Sequence, residues 1–80
     1  HQPTKVLYLF KDGKLIAFNL VFKEIYKGQL ATRLVKTYGS PTMNTYARIY
    51  WKGKANTLIF DVSQTGTCEI MVDHGTGFFD

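Results

Sequence analysis

The sequence is poor in the residues that build disulfides and metal sites. It contains one cysteine, Cys68, and two histidines, His1 and His74, which stand far apart in the chain. A single cysteine cannot close an intrachain disulfide, so a disulfide-stapled scaffold is excluded. Metal sites need several converging ligands, and the acidic residues show no ligand spacing. We therefore expect no metal and no other cofactor.

Long apolar runs are lacking as well. The longest, Leu15–Phe22, is interrupted by Asn19, whereas a membrane-spanning helix needs about 20 apolar residues. No secretory signal is visible, because a strand pattern begins almost at once. The sequence predicts no membrane span.

A catalytic constellation is also missing. The glycines are dispersed over turns and do not cluster into a phosphate-binding loop. Cys68 is predicted to be a small inward-facing strand residue. Asp61, Glu69 and Asp73 are interpreted as exposed strand charges. The candidate catalytic residues lie in turns and strand ends, not in a nucleophile elbow; they are Ser40, Ser63 and His74. The sequence therefore predicts a protein that is not an enzyme.

What is present is an aromatic-rich composition typical of a globular chain. Of 80 residues, 45% are hydrophobic and 15% aromatic. We expect one small domain over residues 1–80, either complete or excised from a longer protein, with residues 74–80 as a loose tail. The net charge is +4. Every lysine and arginine precedes residue 55, and the aspartates and glutamates after it are not balanced by any lysine or arginine. Such asymmetry favours contacts with an acidic partner or between copies of the chain.

The first part of the chain predicts a β-hairpin that is apolar on both faces. Asp12-Gly13 separates two apolar runs and is a preferred type I′ turn. A two-residue loop places Leu9 opposite Ile16 and Tyr8 opposite Ala17. One face then carries Leu7, Leu9, Ile16, Phe18, Leu20 and Phe22. The other carries Val6, Tyr8, Phe10, Leu15, Ala17 and Val21, and its one polar residue is Asn19.

Between residues 23 and 38 the apolar period changes from two to about 3.6. Leu30, Leu34 and Tyr38 recur at every fourth position, which predicts an amphipathic helix. Gly39 is placed to end it. The helical period begins at Lys23, but a glycine at position 28 weakens the first turn, so the helix itself is allowed to start at Lys27 or later.

Three more strands alternate in the second half of the chain. They are predicted over Tyr46–Trp51, Thr57–Ser63 and Cys68–Asp73, with Thr42–Thr45 as a connection. The order is ββαβββ. The predicted fold class is α+β, an antiparallel five-stranded sheet with one helix packed on one face.

One helix shields one face of such a sheet, so the opposite face needs other cover. Two interpretations stay open: a partner or second copy covers it, or the sheet curls and the Phe78-Phe79 pair folds beneath it. We favour the first and expect a non-catalytic protein-interaction module that self-associates through the face away from the helix. The residues expected to form this surface are Tyr8, Phe10, Tyr46, Arg48, Tyr50 and Met71.

Single-stranded nucleic-acid binding is the alternative function. Tyr46, Arg48 and Tyr50, flanked by lysines, offer stacking rings among cations. The same face carries Asp61, Glu69 and Asp73, which repel phosphate, and the signature of sheet-based RNA binders is absent. A protein partner is therefore preferred over nucleic acid.

Three segments resemble a layout that recurs in small bacterial exported or lipoprotein-type domains. LFKDGKLIAFNLVF is a lysine-rich hairpin, LATRLVKTYGSP a helix ending in Tyr-Gly-x-Pro, and IYWKGKANTLIFDV a tryptophan strand. The matching residues are Gly13, Leu15, Leu30, Leu34, Tyr38, Gly39, Pro41 and Trp51. The resemblance covers about half of the chain and implies an extracytoplasmic, non-catalytic role.

Overall fold

A computed structural model of the protein describes residues 2–74 as one helix packed against one antiparallel sheet. The elements follow one another as β1 (Lys5–Lys11), β2 (Lys14–Lys23), a 3₁₀ turn (Glu24–Tyr26), α1 (Lys27–Tyr38), β3 (Met43–Asn44), β4 (Arg48–Lys52), β5 (Thr57–Asp61) and β6 (Thr67–Asp73). The predicted α+β class is confirmed. Of the expected tail, His74 belongs to the described residues, and the Phe78-Phe79 pair lies outside them.

The sheet has six strands, so the prediction of five was wrong. Its order is β1-β2-β6-β5-β4-β3, and every neighbouring pair is antiparallel. The additional strand, β3, lies within Thr42–Thr45, for which the sequence predicts a connection. It is defined by pairing with β4, where Met43 lies opposite Tyr50 and Asn44 opposite Ile49. Two residues are too few to show the alternation that identifies a strand in a sequence.

The helix begins at Lys27, which is among the starts that the sequence allows. The 3₁₀ turn before it is tied to the loop preceding β6, because the Glu24 N–H donates to the Gly66 carbonyl at 3.1 Å. The helix ends at Gly39 as predicted; this residue has a φ of 81°, and its N–H donates to the Val35 carbonyl at 2.8 Å. Glycine adopts this left-handed φ at little cost, so the chain can leave the helix there.

The core lies between α1 and the face of the sheet that we call the helix side. Leu30 and Leu34 of α1 are buried against it, as their spacing predicts. The buried sheet residues of this cluster are Phe22, Trp51, Phe60, Cys68 and Ile70. Trp51 also donates its indole N–H to the Gly39 carbonyl at 3.0 Å, which fastens the end of the helix to β4.

The first hairpin keeps its predicted turn but not its predicted register. Asp12 and Gly13 both have positive φ, as a type I′ turn requires. A bulge follows in β2, where Ile16 has no partner in β1 and Leu9 lies opposite Ala17. The prediction that Leu9 faces Ile16 was therefore wrong.

This shift of one residue turns β1 over relative to β2. Successive side chains of a strand point to opposite faces. Tyr8, opposite Phe18, therefore lies on the helix side, and Leu7, opposite Asn19, lies on the other face, which we call the far face. The opposite assignment of Tyr8 and Leu7 was wrong. Alternation in the sequence does not reveal the bulge, because both faces of β1 are apolar.

Candidate functional site

The six residues predicted to form an interaction surface do not lie on one surface. Tyr8 and Phe10 are exposed in β1, at one edge of the sheet. The other four lie beyond β2, in β6, in β4 and in the connection before β4; they are Met71, Arg48, Tyr50 and Tyr46. The structure thus separates the β1 residues from the rest of the predicted set.

The centre of the far face is buried. Ile59 has 0% of its surface exposed and Met71 has 6%. They are neighbours in a cross-strand row that continues to Asn19 on one side and Tyr50 on the other, so each apolar side chain is flanked on both sides. The sequence predicts an exposed apolar surface on this face, whereas in the folded chain the residues at the centre of the face are buried.

A charged cluster on the far face is built around Asp61. The prediction that Asp61 and Asp73 are exposed strand charges was wrong, because both are buried. Arg48, opposite it in β4, donates to Oδ2 of Asp61 from Nη2 at 2.7 Å and from Nε at 3.2 Å. The Ser63 N–H donates to Oδ1 at 2.7 Å, and the Ser63 hydroxyl donates to the same oxygen. Burial alone raises the pKa of the Asp61 carboxyl, but these bonds to its charged form outweigh burial and hold the pKa below 3.8. Because Arg48 is paired with an acid, its attraction for phosphate is reduced.

The β1 edge, residues Lys5–Lys11, exposes apolar side chains on both faces. Tyr8 is 62% exposed on the helix side, and Leu7 is 46% exposed on the far face. Phe10 is exposed as well. β1 ends the sheet, so its outward backbone groups have no partner strand within the described part of the chain.

A groove of about 590 Å³ opens on the helix side, next to the end of α1. Its floor is one cross-strand row of apolar side chains from β2, β6, β5 and β4; they are Phe18, Val72, Leu58 and Trp51. Neighbouring strands lie about 4.8 Å apart, so the row spans about 14 Å. Small-molecule sites typically enclose about 300–1,000 Å³, and the groove lies within that range.

Aromatic rings stand at both ends of this floor. The Tyr38 ring lies 6.3 Å from the Trp51 indole, and the Phe18 ring lies 6.0 Å from the His74 imidazole, between centroids. The rim is polar, since Nδ1 of His74 lies 2.9 Å from Oδ1 of Asn56. The groove thus combines an apolar floor with a polar mouth.

No family model, curated protein or solved structure matches this chain. The resemblance to small bacterial exported domains and the extracytoplasmic location stay predictions. Function is therefore inferred from the geometry above.

The described residues contain neither a cluster of metal ligands nor a helix that could span a membrane. Within residues 2–74, no group of three or more His, Cys, Asp and Glu side chains could hold a metal ion. No helix in that range has the length and apolar character needed to cross a membrane.

Cys68 is fully buried in β6, as the sequence predicts for an inward-facing strand residue. Its thiol donates a weak hydrogen bond to the Lys23 carbonyl at 3.6 Å. Burial, followed by the negative charge of Glu24, raises the pKa of the Cys68 thiol. Little of the thiol is therefore in the reactive thiolate form, and burial prevents reagents in solution from contacting it.

We expect Cys68 in the folded protein to resist 5,5′-dithiobis(2-nitrobenzoate) at mildly alkaline pH. The same protein in concentrated guanidinium chloride should react completely, because unfolding exposes the thiol and restores its ordinary pKa. Absorbance of the released thiolate measures both reactions. Rapid labelling of the folded protein would contradict the burial of this residue.

Sequence reasoning missed the groove. Alternation places Leu58 and Trp51 on the inner side of their strands, which is a usable signal. The row appears only when strand order and three pairing registers are known together, and no local pattern contains that information.

Proposed function

We propose that this protein is a non-catalytic protein-interaction module that self-associates through the β1 edge. The observation that supports the proposal is the exposure of Leu7 and Tyr8 on opposite faces of an edge strand. A free strand edge is a template for strand addition, in which main-chain hydrogen bonds provide affinity and side chains provide specificity.

The β1 edge has little protection against such pairing. Native proteins guard free edges with proline, charges, bulges or covering segments. In β1 the charges are confined to its ends, Lys5 and Lys11, and the five residues between them are apolar. The terminal lysines therefore limit which register of pairing is favourable, but they do not prevent pairing.

A second copy of the chain fits this edge in a particular register. Antiparallel pairing centred on Leu7 places Lys5 opposite Leu9 of the second copy. Pairing centred on Tyr8 would instead place Lys5 opposite Lys11, and like charges directly opposite each other are destabilising. The register centred on Leu7 joins helix side to helix side in one continuous sheet with two-fold symmetry. We therefore propose that register.

Tyr8→Lys is expected to weaken this association strongly. The interface is two-fold, so the substitution removes apolar burial twice, about 1 kcal/mol each time. The dissociation constant should rise about 30-fold. A single strand pair is smaller than a standard interface, so the wild-type dimer should dissociate in the range of about 100 µM. Sedimentation equilibrium measures the dimer fraction, and circular dichroism checks that the monomer stays folded.

Two matched variants control for added charge. Tyr46→Lys makes the same exchange at an exposed loop residue, and Val35→Lys matches Leu7→Lys, because Val35 is 42% exposed and Leu7 is 46% exposed. Both controls should leave the dimer intact, whereas Leu7→Lys should weaken it. Wild-type protein that stays monomeric at millimolar concentration would refute the proposal, and so would equal losses in controls and edge variants.

The geometry does not favour the alternative of nucleic-acid binding. Arg48 is paired with Asp61, Glu69 lies opposite Asp61, and Asp73 lies farther along β6 on the same face. Attraction for a phosphate backbone depends on lysines and arginines that neutralise phosphates. The acids of the far face oppose that attraction.

A further inference from the structure

We infer that the groove on the helix side binds a small amphipathic carboxylate, an apolar chain with one carboxylate group. This goes beyond the proposed self-association. Among the described residues that line the groove, none belongs to β1, so the two sites use different parts of the sheet.

The floor of the groove offers apolar surface that α1 leaves uncovered. Phe18, Leu58 and Val72 are half-buried, although they continue the helix-side face that α1 buries farther along the sheet. An apolar chain laid along this row would remove the remaining surface from water, which is the main source of affinity in apolar sites. The floor therefore selects an elongated apolar body.

The charges at the groove select an anion. Its described lining residues include Lys54 but no aspartate or glutamate. Lys52 also borders the groove, but it follows Trp51 in β4 and lies opposite Thr57, so its side chain is on the far face. Lys54 stands at the rim, in a loop closed by the Gly53 N–H, which donates to the Asn56 carbonyl at 2.8 Å. A carboxylate at the mouth would meet an ammonium group there, whereas a cationic head group would meet like charge. The ligand class is therefore an apolar carboxylate.

Decanoate, used below its micelle-forming concentration, is a suitable probe for the full chain. Trp51 is the single tryptophan of the sequence and forms part of the floor, so its fluorescence reports on this site. We expect a saturable fluorescence change with decanoate. Decyltrimethylammonium, which carries the opposite charge on a similar chain, should bind at least about fivefold more weakly.

A charge-reversal pair localises the binding. Lys54→Glu is expected to weaken decanoate binding about fivefold to tenfold and to reverse the preference between the two amphiphiles. Lys14→Glu changes the net charge equally at the turn of the first hairpin, outside the groove. That control should leave decanoate binding unchanged.

Several outcomes would overturn the inference. They are the absence of a saturable response, equal affinity for the two amphiphiles, and equal effects of Lys54→Glu and Lys14→Glu. Binding only to a variant that ends at His74 would show that residues 75–80 occupy the groove, and it would also refute a ligand site in the full chain. Leu7→Lys changes the β1 edge on the far face, away from the groove. It should bind decanoate like the wild type, so failure of the self-association proposal and failure of this one are distinguishable.

Discussion

Phe60→Ala is expected to lower the free energy of unfolding by about 3–5 kcal/mol. Phe60 is 2% exposed, lies in the interior strand β5, and stands between Ile49 and Ile70 in a cross-strand row beneath α1. Its truncation removes apolar burial and leaves a cavity that the paired strands cannot close. For a domain of this size the melting temperature should fall by about 4–8 °C per kcal/mol. Urea unfolding followed by circular dichroism measures the loss.

Phe10→Ala is the matched control, because it deletes the same side chain from an exposed position in β1. We expect it to cost less than about 1 kcal/mol when measured at concentrations that keep the protein monomeric. Comparable losses for the two variants would contradict the burial of Phe60 in the core.

Asp61→Asn is expected to cost about 2 kcal/mol at neutral pH. The asparagine cannot accept all the hydrogen bonds that Arg48 and Ser63 donate to the carboxylate, and bonds to charged groups contribute more than neutral ones. The Arg48 side chain is 45% exposed, so solvent screens its share of the interaction. Chemical unfolding at neutral pH measures the difference.

The cost of Asp61→Asn should depend on pH in a defined direction. The folded state lowers the pKa of Asp61 below its ordinary value of 3.8, so the folded state favours the ionised form. The stability that Asp61 contributes is therefore fully present above that ordinary value and is lost as the pH falls through the folded-state pKa. Wild type and variant should converge in stability at strongly acidic pH. A difference that grows on acidification would be incompatible with this account.

Arg48→Gln separates the two partners of Asp61. It removes the charge and leaves the bonds from Ser63, one of which is a backbone N–H bond of 2.7 Å. We expect it to cost less than Asp61→Asn, about 1 kcal/mol or below. Equal costs would mean that Ser63 contributes nothing to the cluster.

Several elements of the fold follow from short stretches of sequence. The positive φ values of Asp12 and Gly13 follow from the preference of this dipeptide for type I′ turns. The end of α1 at Gly39 and the burial of Leu30 and Leu34 follow from helix periodicity and a terminal glycine. Each of these features is set by residues within about one turn of one another.

The candidate surfaces depend on contacts that no short stretch contains. The bulge at Ile16 places Tyr8 on the helix side. The sequence pattern does not predict this bulge, because both faces of the hairpin are apolar. The two-residue strand β3 exists through its pairing with β4. The burial of Met71 depends on Asn19 and Ile59, which are distant in sequence and adjacent in the sheet.

The order of the residues alone was sufficient to predict the turn type, the helix limits, the inner strand positions and the α+β class. These features depend on steric preference and periodicity, which act over a few neighbouring residues. The free β1 edge, the closed centre of the far face and the groove beside α1 required the assembled sheet. Strand order and register bring distant residues together, and a shift of one position moves a whole row of side chains to the opposite face.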